Sequence, residues 1–596
     1  MLRIPTQRPK RTVLIRGIAG KGLISRSFLV AALTTSLISA GPTAVADTCT
    51  GLLSLALPDT TINAANPVDA GTFTAPDGTS FPQFPLPQFC RVAATLAPTS
   101  DSNIKIEVWL PFSGWRGGYW GTGTTGIGSA FNYSAMSWLL SYTNQAIANS
   151  DLGTSPAATL GSAVLIRHPE KQIDYATRSV HLMTVRAKEI IKAFYGEPPG
   201  RSYFYGCSSG GGQGVHEALQ FPGDYDAITA GAPATNRTHL AVAAIWNHAA
   251  FQTSPIGITA AQLTAISGAI LKKCAGKDGG LASDNFLTDP RACSWDPAAL
   301  QCGGTAANPA TCLTEAQVAA MRKYYQGPIN PRTEERIFAG QTLGSERNPG
   351  NSNPLSLQTE VRPNASVPRW VFGANWDWRT FDYDHGVDTI DAYTQAVSVP
   401  AYGSEMAAQQ NANTADLEEF KSHGGKLILW HGLEDPTIPT LDTVAYYERL
   451  IASQTPGHGH GKGERKVGLR RTQEFARLFL LPGVGHCYGG AGPDIPETFG
   501  WPSVLLDWVE RGIAPDRVIV NKFVADVPVL SRPVCSYPAL PRYRGVGDPA
   551  NPDNFICVDD GEPADNQPPA PRYLDDGGNY PIVPIDDDRR DDDNRH

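Results

Sequence analysis

Among the ten cysteines of this 596-residue chain no two form a C-x-x-C pair, which argues against a zinc ribbon or a dithiol redox centre. The chain is also short of charge. Charged residues make up 18% and the formal net charge is only -9, so neither nucleic acid nor an acidic membrane is expected as a partner. Past the N-terminal region no apolar run approaches the length of a membrane span, so no transmembrane segment is expected there.

The composition that remains is that of a globular, loop-rich protein: 41% hydrophobic residues, 59 Gly and 48 Pro. Its length exceeds what one core usually supports, so two or more domains are expected. Residues 1–46 read as an export signal. Arg3, Arg8, Lys10, Arg11 and Arg16 precede an apolar run from Phe28 towards Ala40, and Ala44-Val45-Ala46 supplies an A-x-A cleavage site. Export to a secreted or periplasmic location gives the even cysteine count a meaning, because an oxidising compartment favours disulfides. Sequence alone does not pair the cysteines. Local neighbours point to Cys274-Cys293, Cys302-Cys312 and Cys535-Cys557, Cys49 and Cys90 would tie down the mature N-terminus, and elimination leaves Cys207 for Cys487.

Periodicity gives an α/β rhythm. A strand from Ile104 to Leu110 leads into a glycine-rich stretch from Gly114 to Gly126, and Val180, Met183, Ala187, Ile190, Ile191 and Phe194 recur at helical spacing. A short aromatic strand, Ser202 to Tyr205, runs into Gly206-Cys207-Ser208-Ser209-Gly210, after which a helix resumes at Val215. Asp226 to Gly231 reads as the next strand. After Pro233 helical pieces alternate with cysteine-rich loops, and the α/β pattern returns near Leu417, with strands at Lys426–Trp430 and Leu478–Leu481. The expected organisation is therefore a core in two parts, 47–235 and 416–560, an inserted lid at 236–415, and an acidic disordered tail at 561–596.

Strand, sharp turn and helix around G-x-S-x-G is the context of a nucleophile elbow, whose partners follow in the order Ser, Asp or Glu, His. Asp435 stands on the loop after the strand ending at Trp430, and His486 stands in a glycine turn after Leu481. Ser208 would attack an acyl carbon, His486 would take and return the proton, and Asp435 would orient the imidazole. Glu434 is the rival acid, Asp435 has a second reading as a turn cap, His431 reads as a core hydrogen bonder, His216 lies within a helix, and His458 and His460 sit in a loop that reads as solvated. Cys207 precedes the serine and Cys487 follows the histidine, so Cys207 reads as a staple rather than a nucleophile. The backbone N-H of Ser209 is one expected oxyanion donor, and Gly123 or Thr124 the other.

The motifs Gly206-Cys207-Ser208-Ser209-Gly210-Gly211, Phe221-Pro222-Gly223-Asp224-Tyr225, Ala230-Gly231-Ala232-Pro233, Tyr446-Tyr447-Glu448-Arg449-Leu450 and Pro482-Gly483-Val484-Gly485-His486-Cys487 resemble the tannase and feruloyl esterase family over about residues 47 to 560. The resemblance implies an α/β-hydrolase core with a large inserted lid domain, the five disulfides above, and a carboxylic ester hydrolase acting on small esters of aromatic acids without a catalytic cofactor. It also implies a structural calcium ion in the lid, between Cys274 and Cys293. Asp278 and Asp284, with the carbonyls of Gly280 and Phe286, would be its ligands. Ala275 replaces the first aspartate of the family loop and two residues are inserted before Asp284, a loss of charge that weakens such a site. The lid aromatics Trp370, Trp376, Trp378 and Phe381 are candidates to sandwich a phenolic ring, and Arg362, Arg369 or Arg379 to receive a carboxylate. Gallate, ferulate and terephthalate half-esters remain open as substrates, with a non-catalytic binding protein as the alternative of another class. Oligomeric state is not legible.

Overall fold

The computed structural model describes residues 48–76, 78–126, 130–155, 164–252, 257–303, 308–347, 367–399, 403–456, 462–496, 500–524 and 527–559. The signal segment 1–46, the tail 561–596, Arg362, His458 and His460 lie outside the described residues. Nine strands form one sheet: β1 (Thr60–Val68), β2 (Phe89–Leu96), β3 (Ile104–Pro111), β4 (Gly118–Thr122), β5 (Ala146–Ser150), β6 (Arg201–Cys207), β7 (Ala227–Gly231), β8 (Lys426–Gly432) and β9 (Ala476–Leu481). Their spatial order is β1-β2-β3-β5-β4-β6-β7-β8-β9. Strands β5 to β9 in that order, with β4 between β5 and β6, run parallel, while β1, β2 and β3 form an antiparallel edge. This is an α/β-hydrolase-like sheet.

Alternating side chains build two separate faces, as a pleated strand requires. Phe204, Ile228, Leu427 and Leu429 pack with α2 (Ser179–Tyr195) and α3 (Ser209–Gln220). Tyr203, Ala227, Ile428 and Trp430 pack with α1 (Tyr133–Thr143) and with the helix Trp501–Arg511 near the C-terminus. Both faces are covered, which is why these strands read as nearly continuous apolar runs.

Within the glycine-rich stretch Gly118–Thr122 forms a fully buried strand, which its composition does not announce. Its glycines answer to neighbours instead of to a turn. A Cβ on Gly121 would stand 2.1 Å from Tyr225 Oη, and one on Gly118 would stand 2.6 Å from the Gln145 side chain. Composition signals a loop there because nothing local reveals the side chains that fill the space.

Between the end of β7 at Gly231 and the start of β8 at Lys426 lies the long insertion, with helices α4 (Arg237–Gln252), α5 (Ala260–Cys274) and α6 (Glu315–Gln326). Capping boxes at Thr259 and Thr314 start α5 and α6 by satisfying their first amides. Ile266, Ile270, Leu313, Val318, Met321 and Tyr324 give this part its own apolar core. Val367, Trp370, Phe381 and Ile390 instead join the apolar cluster that contains α2 and α3. The insertion is thus partly self-supporting and partly rooted in the main core.

Five disulfides are present: Cys49-Cys90, Cys207-Cys487, Cys274-Cys293, Cys302-Cys312 and Cys535-Cys557. Cys207 ends β6 and Cys487 lies in the turn after β9, with a sequence separation of 280 and a Cα separation of 6.0 Å. In the chain-entropy account, closing a loop of that length restricts the unfolded chain by about 5–6 kcal/mol. The double substitution Cys207→Ala/Cys487→Ala should therefore lower the urea midpoint clearly, and an unchanged midpoint would contradict this account.

Candidate active site

Ser208 follows the last residue of β6 and precedes the first residue of α3. Its backbone has φ 65 and ψ -128, a conformation that costs energy for any residue with a Cβ and that marks a nucleophile elbow. The surrounding glycines make the turn possible. A Cβ on Gly206 would lie 2.3 Å from Gly210 O, and one on Gly123 would lie 2.5 Å from Gly210 Cα, so the start of α3 packs backbone to backbone against the end of β4. The Ser208 N-H donates to Gly231 O at 2.9 Å, which locks the elbow to the neighbouring strand.

His486 bridges the other two residues of the predicted set. Its Nε2 lies 2.8 Å from Ser208 Oγ and its Nδ1 lies 2.7 Å from Asp435 Oδ2. The histidine side chain is 24% exposed whereas that of Asp435 is 0% exposed, so the serine end of the relay meets solvent and the acid end does not. Burial by itself would raise the Asp435 carboxyl. The His486 imidazole, together with hydrogen bonds from His431 and His486, outweighs burial and holds it well below the usual carboxylate range.

The two oxygens of Asp435 divide their partners between the turn that follows it and the two histidines. Oδ1 accepts from the backbone N-H groups of Thr437 at 2.7 Å and Ile438 at 3.0 Å, while Oδ2 accepts from the two histidines. Glu434 turns away and pairs with Arg347 of the insertion. Other insertion residues grip the same loop: Gln341 Nε2 donates to Pro436 O at 3.3 Å and the Thr342 hydroxyl donates to Leu433 O. Sequence reasoning missed Gln341, Thr342 and Arg347, because no motif marks residues that meet the site only through the fold. His216 lies apart, its Nε2 3.2 Å from Gln410 O, and burial pushes its imidazole down to about 4.

The expected oxyanion donors separate. Ser209 opens α3, so its N-H has no acceptor within the helix. The Gly123 N-H donates to Tyr205 O at 2.8 Å and the Thr124 N-H donates to Gln213 Oε1 at 3.0 Å. Both of those amides are engaged. Gln213 Nε2 also donates to Thr124 O, so this α3 side chain clamps the loop, a role that the glycine pattern did not signal.

The aromatics expected in a lid are largely buried, in or against the apolar cluster that contains α2 and α3. Trp370, Trp378 and Phe381 are 6%, 6% and 8% exposed, with Trp370 edge-on to Tyr175 and Trp378 edge-on to His248. Trp376 is half-buried and lines a small open cleft with Phe372, Phe381, Asp382 and His385. Arg379 pairs with Asp377, and Arg369 donates to Ala374 O.

Of the residues expected to hold calcium, both carboxylates are hydrogen-bonded within the protein. Asp278 Oδ1 accepts from Gly280 N-H and Oδ2 from Thr288 N-H, whereas Asp284 Oδ1 accepts from Arg532 Nη2 at 2.8 Å. Phe286 packs behind Gly483, whose added Cβ would meet the ring base at 2.5 Å. Among the described residues no group of three or more His, Cys, Asp or Glu side chains is placed to hold a metal ion. A guanidinium pairs with the Asp284 carboxylate, where it competes with a divalent cation for the same oxygen.

Comparison with known proteins agrees with this architecture. The sequence profile of the family described as tannase and feruloyl esterase matches residues 90–558. An uncharacterized esterase of Xanthomonas campestris pv. campestris is 35% identical over 575 residues, covering 92% of this chain and 95% of that one. The mono(2-hydroxyethyl) terephthalate hydrolase of Piscinibacter sakaiensis is 29% identical over 544 residues, covering 79% and 85%. Among solved structures, feruloyl esterase B from Aspergillus oryzae superposes with a TM-score of 0.75 at 26% identity, covering 86% of this chain and 100% of that one. Family profile, relatives and fold converge: the chain belongs to the tannase and feruloyl esterase family and is a carboxylic ester hydrolase.

Proposed function

We propose that the chain is an exported serine esterase that hydrolyses esters of aromatic carboxylic acids through Ser208, His486 and Asp435. The observation that carries this reading is the single imidazole of His486 in contact with both the serine oxygen and the buried carboxylate. Ser208 Oγ attacks the ester carbon while its proton passes to His486 Nε2. The negative charge that develops on the carbonyl oxygen is met by the Ser209 N-H. His486 then returns the proton to the departing alcohol, leaving an acyl-serine. Water repeats the sequence in reverse and releases the acid. Asp435 keeps the Nδ1 proton in place and offsets the charge on the imidazolium, as its depressed proton affinity requires.

The substrate class rests on the family and on two relatives, a feruloyl esterase and a mono(2-hydroxyethyl) terephthalate hydrolase. Trp376 and Phe372 are the less buried of the aromatics of this segment, which leaves ring surface for an aromatic acyl group. Ser208→Ala should lower kcat by at least about 10⁴-fold, measured on methyl gallate, methyl ferulate, chlorogenate and mono(2-hydroxyethyl) terephthalate side by side. The wild type should turn over at least one of these far better than phenyl acetate. Equal rates on all five esters would remove the aromatic assignment.

Export is supported by the N-terminal charge and apolar pattern and by the five disulfides. N-terminal sequencing of the exported protein should then begin at Asp47, and material that still starts at Met1 would refute cleavage after Ala46.

In place of a structural calcium ion, Arg532 supplies the positive charge at the insertion loop. Its partner Asp284 is equally withdrawn from solvent, the two side chains being 9% and 8% exposed. Chelator treatment should leave activity and the thermal midpoint unchanged, whereas Arg532→Met strands a buried carboxylate and should cost about 3–5 kcal/mol. A large loss of stability on chelation would restore the metal.

A further inference from the structure

One fully buried ionisable group touches the proposed triad without belonging to it. His431, at the end of β8, has a side chain that is 0% exposed. Its Nε2 lies 3.0 Å from Asp435 Oδ2 and 3.1 Å from Ile438 O, and its Nδ1 lies 2.8 Å from Thr443 Oγ1. The ring's tautomer follows from these partners. A backbone carbonyl only accepts, so Nε2 carries a hydrogen shared between Ile438 O and the carboxylate, and in the neutral ring the Thr443 hydroxyl donates to Nδ1. Asp435 Oδ2 therefore receives two imidazole N-H groups, one from His431 and one from His486, while Oδ1 is taken up by the Thr437 and Ile438 amides.

We propose that His431 is a positioning residue of the reaction: by holding Asp435 Oδ2 alongside His486, it fixes the carboxylate rotamer and shares the charge that the His486 imidazole feels. This rests on the serine esterase reading above. Two consequences follow. Losing the His431 bond frees Oδ2 to move, which misplaces the base. It also leaves more negative charge for His486 alone, which favours the protonated imidazole and moves the acid limb of activity upward in pH. The other ionisable groups around this point cannot substitute for it. Glu434 is paired with Arg347, the Tyr324 phenol is held protonated by burial, Glu346 accepts from Tyr325 and the Gly344 amide, and Asp442 accepts from Thr235.

The test uses His431→Leu, His431→Gln and Thr443→Val, with Ser208→Ala alongside, on whichever aromatic ester the wild type turns over best. His431→Leu should lower kcat by about tenfold to a hundredfold with KM nearly unchanged, and should raise the acid limb of kcat/KM by about half a pH unit or more. His431→Gln, whose amide N-H replaces the lost donor, should keep the limb near its wild-type position. Thr443→Val should give a smaller loss in kcat, because the Nδ1 hydrogen bond is lost while the Nε2 bond remains. A purely structural histidine would lower the thermal midpoint and leave the limb where it was. A folded His431→Leu protein with an unmoved limb overturns the proposal, as does unchanged kcat in Thr443→Val if the leucine variant fails to fold. Turnover by Ser208→Ala would instead sink the serine reading itself, so the two failures are distinguishable.

Discussion

Asp435 carries a charge where no water reaches it, and the architecture around it follows from that requirement. An ionised carboxylate in the interior is costly unless every lone pair finds a donor. Here two backbone amides and two imidazoles supply them. The amides come from a tight turn immediately after β8, one imidazole from the strand itself, and the other from a turn after the neighbouring strand β9. Parallel pairing of β8 with β9 sets these loops side by side, since Gly432 is in register with Leu481. The insertion completes the enclosure through Gln341, Thr342 and Arg347. It therefore helps to form the acid end of the site in addition to covering the core.

The Ser208 end of the site obeys a different constraint, close approach of backbones. Gly206, Gly210 and Gly123 let the elbow, the start of α3 and the end of β4 come together at distances that no Cβ permits. Ser208 takes a positive φ as a result. Cys487 does the same with φ 64, and the disulfide between Cys207 and Cys487 joins the two strained turns. A steric constraint and a covalent one thus hold serine and histidine at hydrogen-bonding distance, while electrostatics holds histidine to aspartate.

At the insertion loop a guanidinium supplies a counter-charge to a buried carboxylate. Arg532 reaches Asp284 from the C-terminal hairpin strand Val527–Cys535, with its guanidinium also over the Phe555 ring. A guanidinium brings one positive charge and fixed donors. It joins two distant parts of the chain that a small cation within the loop would leave unconnected.

The sequence by itself determined the α/β rhythm, the elbow at Ser208 and the order of serine, acid and histidine, because these are local: period-two strands, a G-x-S-x-G turn, and loops that directly follow strands. Cysteine placement beside Ser208 and His486 pointed to a long-range pairing that only the fold closes. Only the tertiary structure decided what depends on space between segments far apart in the chain. It made Gly118–Thr122 a strand, since Tyr225 and Gln145 supply the atoms that fill the missing side chains. It engaged the Thr124 and Gly123 amides, turned Glu434 to Arg347, buried Trp370 and Trp378, and gave Asp284 to Arg532. In each case the deciding partner lies many residues away, so its presence leaves no periodicity or motif at the position it controls.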